Sequence, residues 1–318
     1  MQVNNFSTSD LVYLPKKLKQ NYMRESYLSK YTSYDINCDE FVPLNETEKE
    51  KINLVSKVLS TISMIAGINR KVISALADEL MTIKNLTLLK KALEANVSFK
   101  FGLGDSGAVY SVDCDEYDRP KKKSIVFLIN QDDYSSIYSV GHELGHAFDF
   151  ETKIDENGLT SNLEYELIKN PDGSYEKADF FMPNTVSYTT KCNGKIQSII
   201  EIDDIEQNAS FSKEFEDAFL KDYIHMLDMD MKQGISEGTT FNNLLSDWKK
   251  DSYFAYFLGA DREKPEISKT YMLKKELFAQ LAGYSAFGHT SKPEFDKKVL
   301  LYFPNTYKFV DELIKKTL

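Results

Sequence analysis

Residues 124–150 read SIVFLINQDDYSSIYSVGHELGHAFDF. Ser124–Asn130 sets Ile, Val, Phe and Leu side by side without a charge, the composition of a buried β-strand. From Ser135 to about Phe150 the spacing predicts a helix on which Ile137, Val140, Leu144 and Phe148 form one apolar face. His142, His146 and Asp149 fall on nearly the opposite face. A solvated face would carry Lys and Glu there, but Gly141, Gly145, Ala147 and Phe150 lie nearby instead, as on the floor of a cleft. His142, Glu143 and His146 make an HExxH pattern. Side chains four apart on a helix stand one turn above each other, so two imidazoles can reach one metal ion while the adjacent carboxylate addresses a bound water. The competing reading is two ordinary core histidines. The chain holds only four histidines, so composition alone rarely places two of them in one turn beside a glutamate.

A catalytic zinc ordinarily takes three protein ligands and keeps a fourth position open. A third histidine six residues after His146 is excluded, because Asp149 and Thr152 stand where glycine and histidine would be needed. A downstream GTxxD ligand is nearly matched at Gly238, Thr239 and Thr240, but the ligand position is Asn242. What remains is a glutamate on a later helix, and Glu276 in KKELFAQLAGYSAF is the best candidate. No other charge follows it as far as Phe287, and Ala279, Gln280, Gly283 and Phe287 share its face. A carboxylate on so apolar a helix needs a partner. A metal would supply one, and the small residues would let this helix approach the His142 helix closely. The plain alternative puts Glu276 at a frayed helix start, solvated or paired beside Lys274 and Lys275. Glu164, Glu166 and Glu201 are rivals whose contexts read as strand or loop.

Outward from this core, residues 1–44 show little periodicity and read as an irregular arm with Pro15 and Pro43 as breakers. Residues 45–96 form a helical section. Asn45 with Glu48 three positions on resembles a capping box, and Ile52, Val55, Leu59 and Ile62 keep helical spacing. Residues 97–318 make the remaining domain. It begins with Val97, Phe99 and Phe101 alternating at period two, then AVYSVDC and SIVFLI, which together predict a small mixed sheet. Residues 151–210 read as a loop-rich insertion with strand fragments. Helical spacing returns at SKEFEDAFLKDYIHML, at Leu273–Phe287 and from Pro304 onward. The order predicts an α+β fold.

Composition narrows the function classes. At 318 residues, 42% hydrophobic and 28% charged, the chain can bury a full core. No apolar run approaches the roughly 18–20 residues that span a bilayer, and the first residues lack a standard signal peptide. A net charge of -10 disfavours nucleic acid and anionic membrane as partners. Cys38, Cys114 and Cys192 are odd in number and scattered, which argues against a disulfide framework and against a closed, Cys-rich structural zinc site. His225 and His289 read as structural or loop residues.

GHELGHAFDF, ELFAQLAGYSAF and the closing FPNTYKFVDELIKK together resemble the catalytic domain of the anthrax lethal factor family, which includes the bacterial Pro-Pro endopeptidases. These are gluzincins, zinc peptidases with HExxH on one helix and a glutamate ligand on another. The resemblance implies a zincin-like metallopeptidase fold and one catalytic Zn2+, with His142, His146 and Glu276 as ligands and Glu143 as general base. SKEFEDAF, at Ser212 to Phe219, is similar to the helix that family places between its ligand helices. The likeness runs from residue 85 to the end, with a larger spacing between His146 and Glu276, and the segment before it has no counterpart. The family's oxyanion-stabilising tyrosine falls at Lys269 here, so Tyr271 is the nearest hydroxyl and Lys269 the alternative. The family's acidic residue one turn after the glutamate ligand is Gln280 here, which could still accept a hydrogen bond from a ligating histidine. Asp149 reads either as a further support of the ligands or as a polar helix end.

The implied activity is hydrolysis of peptide bonds in a protein or peptide bound as an extended strand, along the edge at Ser124–Asn130 or Ala108–Asp113. The family further implies a toxin or effector with a host protein as target, secreted or translocated without a standard signal peptide; otherwise the protein is cytoplasmic. The alternative is a non-catalytic partner-binding module on a zincin-like fold. Such a module has no reason to keep His142, Glu143 and His146 together.

Overall fold

A computed structural model describes residues 45–62, 70–104, 107–114, 120–130, 135–159, 165–172, 174–179, 185–192, 195–202, 207–234, 269–289 and 293–317. The expected arm at 1–44, Glu164, and the near-match at 238–242 lie outside them. The chain falls into two compact units, Met1–Ala147 with Gly283–Ser291, and Phe148–Ala282 with Lys292–Leu318. Both are built from helices with little sheet, in keeping with an α+β class.

The first unit begins with three helices, α1 (Glu46–Thr61), α2 (Arg70–Met81) and α3 (Thr87–Glu94). The capping box is present: the Asn45 side chain accepts from the Glu48 backbone N–H, and Glu48 accepts in return from the Asn45 N–H. Ile52, Val55, Leu59 and Ile62 are all buried. The strands β1 (Ser98–Leu103), β2 (Gly107–Cys114) and β3 (Pro120–Ile129) form a sheet in the order β1-β3-β2, parallel on the first side and antiparallel on the second. Phe99 and Phe101 of β1 lie beside Ile125 and Phe127 of β3 on one buried face. This order corrects the expectation that Ser124–Asn130 could be an edge. A strand with a near-continuous apolar run belongs in the middle of a sheet, and β2 is an edge among the described residues. A 3-10 turn (Ser135–Ser139) leads from β3 into α4 (Val140–Glu151), so the expected helix starts one turn late. His289 sits 2.9 Å from the buried Glu79 of α2. Desolvation pushes the Glu79 carboxyl above its ordinary range, partly offset by that histidine.

The second unit contains the end of α4 and two hairpins, β4 (Tyr165–Lys169) with β5 (Tyr175–Asp179) and β6 (Thr185–Cys192) with β7 (Lys195–Ile202). The strand fragments expected in this loop-rich stretch are present as paired strands, the one at residues 196–202 among them. After a 3-10 turn (Ala209–Phe211) come α5 (Lys213–Lys232), α6 (Lys269–Phe287), α7 (Pro293–Tyr302) and α8 (Pro304–Lys316). Phe215 and Phe219 of α5 pack on Phe278 of α6 and Phe303 before α8, with ring centroids 5.5 and 5.9 Å apart. The start of α8 is capped from a distance. The buried Asp222 of α5 accepts from the Asn305 and Thr306 backbone N–H groups, from the Thr306 hydroxyl and from the Asn305 amide. Asp222→Ala is expected to cost about 2–4 kcal/mol, because buried donors lose their acceptor. Equilibrium denaturation checks this; a loss under about 0.5 kcal/mol, the scale of an ordinary surface change, would contradict it.

Candidate metal centre

The α4 sequence VGHELGHAFDFE is enclosed on nearly every side. Ile137, Val140, Leu144 and Phe148 are buried as their spacing predicts, but so are His142, Glu143 and Asp149 on the other faces. The face expected to floor an open cleft is largely covered, and His146 is the half-buried member of the HExxH trio. Ionisable side chains placed this deeply must be satisfied by partners. Glu143 accepts from the Tyr110 backbone N–H at 2.6 Å. Asp149 accepts from Ser210 twice, Oδ1 from its backbone N–H and Oδ2 from its hydroxyl, each at 2.7 Å. Asp149 thus ties the end of α4 to the turn before α5.

Small residues bring α6 against α4. A Cβ placed on Gly283 would lie 2.7 Å from the Gly141 carbonyl carbon and 2.9 Å from the His142 backbone nitrogen, and one on Gly141 would meet the Phe287 ring at 3.0 Å. Further along, Phe148 and Phe278 stack with centroids 6.4 Å apart. The close approach expected from the glycine-bearing face of α6 is therefore present. Glu276 is 2% exposed, so it is not at a frayed, solvated start. Its neighbour Lys274 is buried too and pairs with Glu216 of α5 at 2.9 Å.

Each of His142, His146 and Glu276 offers a ligand atom, and these atoms lie within 4.8 Å of one another. The two imidazole Nε2 atoms are 3.1 Å apart, with their rings at 88°. Two nitrogens bound tetrahedrally to one zinc at about 2.0–2.1 Å would stand about 3.3 Å apart. The donor set of two imidazoles and one carboxylate suits zinc, and its spacing fits a single ion.

The remaining expected residues divide. Gln280 gives its Nε2 to the buried Asp296 of α7 at 2.8 Å, so a carboxylate absent at position 280 stands next to it. Lys269 and Tyr271 lie on α6, Glu166 on β4 and Glu201 on β7, with side chains outside the described residues. His225 is exposed on α5. Sequence reasoning passed over Ser210, Glu216, Lys274 and Asp296. Glu216 carried a usable signal, since it sits directly after Phe215 within an apolar helix face. No protein-family model, curated protein or solved structure matches this chain.

Proposed function

We propose that the protein is a zinc-dependent endopeptidase with a zincin-like fold. The observation that carries this reading is the convergence within 4.8 Å of ligand atoms from Glu276 on α6 and from His142 and His146 on α4, the helix that also presents Glu143. Those three side chains would hold the ion. Zinc bound there supplies Lewis-acid polarisation of a carbonyl and a water acidic enough to attack at neutral pH.

The chain's own groups perform the remaining steps. The Glu143 carboxylate takes a proton from the attacking water and delivers it to the leaving amine nitrogen. The Tyr110 N–H holds that carboxylate at one oxygen, which fixes its direction. A hydroxyl from Tyr271, or the ammonium of Lys269, stabilises the charge that develops on the carbonyl oxygen. Substrate lies along β2. Tyr110 pairs with Ile125 but turns its N–H to Glu143, so the outward edge of β2 passes beside the base. An extended peptide added to that edge would run past Glu143, taking its register from backbone hydrogen bonds. Following the family resemblance, the setting proposed is that of a toxin or effector acting on a host protein.

The test measures zinc content and cleavage of an unbiased peptide library. Wild type is expected to carry one zinc and to cleave. Glu143→Ala should keep the zinc and lose about 10²–10⁴ in rate, and Glu276→Ala should lose zinc affinity. Cleavage surviving in Glu143→Ala, or a wild type without zinc, would sink the proposal.

A further inference from the structure

Both ligand-bearing helices are tied to one short segment, residues 210–216. On α4, Asp149 stands one turn after His146 and two turns after His142, on their stripe. Both of its oxygens are bonded to Ser210. On α6, Lys274 precedes Glu276 by two positions, and its ammonium lies 2.9 Å from Glu216 and 5.4 Å from the centre of the Phe211 ring. Asp149, Ser210, Phe211, Glu216 and Lys274 are each 2% exposed or less. Positions two apart on a helix are separated by about 200° around its axis. Anchoring Lys274 to α5 therefore turns Glu276 toward the other side of α6.

Apolar packing lets a helix rotate or slide by small amounts at little cost. Buried hydrogen bonds and ion pairs are directional and costly to break, so they pin one arrangement. A metal site needs its ligands held to about 0.5 Å. We infer that residues 210–216 act as a positioning device for the metal centre: Ser210 sets the rotation of α4 through Asp149, and Glu216 sets the rotation of α6 through Lys274. None of these residues touches the ion. They act on zinc affinity through the helices that carry His142, His146 and Glu276, and the inference rests on the zinc reading above.

The experiment separates positioning from stability. In the full chain, Lys274→Met with Glu216→Met replaces the buried pair by side chains of similar volume, an exchange that is often neutral or stabilising for the fold. Metal-free protein is compared by thermal unfolding, zinc affinity by chelator competition, and coordination by the visible spectrum after loading with cobalt(II). The double variant is expected to melt no lower than wild type, to bind zinc on the order of 10–100-fold more weakly, and to show a changed cobalt band. Ser210→Ala, which keeps the backbone bond to Asp149, should shift affinity and spectrum in the same sense but less, and it decides the matter if the double variant does not fold. Wild-type affinity and spectrum in either folded variant would overturn the inference alone. Wild type that binds no zinc, or His142→Ala that binds as tightly, would instead overturn the zinc reading and this inference with it.

Discussion

On the zinc reading proposed above, Gly283→Ala is expected to weaken zinc binding on the order of 10–100-fold while leaving the protein folded. The added Cβ would sit 2.7 Å from the Gly141 carbonyl carbon, 2.8 Å from its oxygen and 2.9 Å from the His142 nitrogen. All three are backbone atoms of α4, so no side chain can swing aside, and the helices must part locally by a substantial fraction of an ångström. Two stability effects oppose each other. Overpacking costs about 1–3 kcal/mol, while alanine in mid-helix gains about 1 kcal/mol over glycine. Global stability should therefore fall by no more than about 2 kcal/mol. The geometric effect has no such offset, because the atom pushed is the main chain of His142 itself. Chelator competition reads the affinity and equilibrium denaturation reads the stability. Unchanged affinity would mean that α4 and α6 can part here without moving a ligand.

The parts of this arrangement that were legible in the sequence are those whose signal is local. His142, Glu143 and His146 lie within one turn, and Glu276 stood out because eleven uncharged residues follow it as far as Phe287. The buried stripe of α4 and the capping box of α1 are likewise patterns a few residues long. What escaped depends on partners far apart in the chain. The Lys274–Glu216 pair left no mark in the sequence, since nothing near Lys274 reveals a carboxylate 58 positions earlier. The expectation of an edge at β3 fails because an apolar run on both faces is the mark of an interior strand. Strand fragments at residues 151–210 were legible, residues 196–202 among them, but their pairing into the β4–β5 and β6–β7 hairpins was not, because partners in register leave no local mark. α7 escaped as well, although Pro293 at its first position is a helix-start signal.

Lys274→Met alone should be among the most destabilising single substitutions in the second unit, at about 3–5 kcal/mol, even though methionine fills nearly the same volume. The cost arises from the partner. Glu216 is 2% exposed and would be left as a buried carboxylate without its ammonium. Adding Glu216→Met removes that charge, and the loss should return in full, because two apolar side chains need no compensation. The double-mutant cycle on metal-free protein would then show a coupling of several kcal/mol, beyond the roughly 0–1 kcal/mol of exposed ion pairs. If the single and double variants unfold alike, water reaches Glu216 and the pair is not isolated from solvent. The comparison also separates two demands that meet on α6. A helix that must be apolar enough to lie against α4 carries an ammonium two residues before Glu276, the proposed third ligand, where an all-apolar core would be more stable. The pair is accounted for if its contribution is direction rather than stability, because one fixed rotation of α6 is what Glu276 requires to meet His142 and His146.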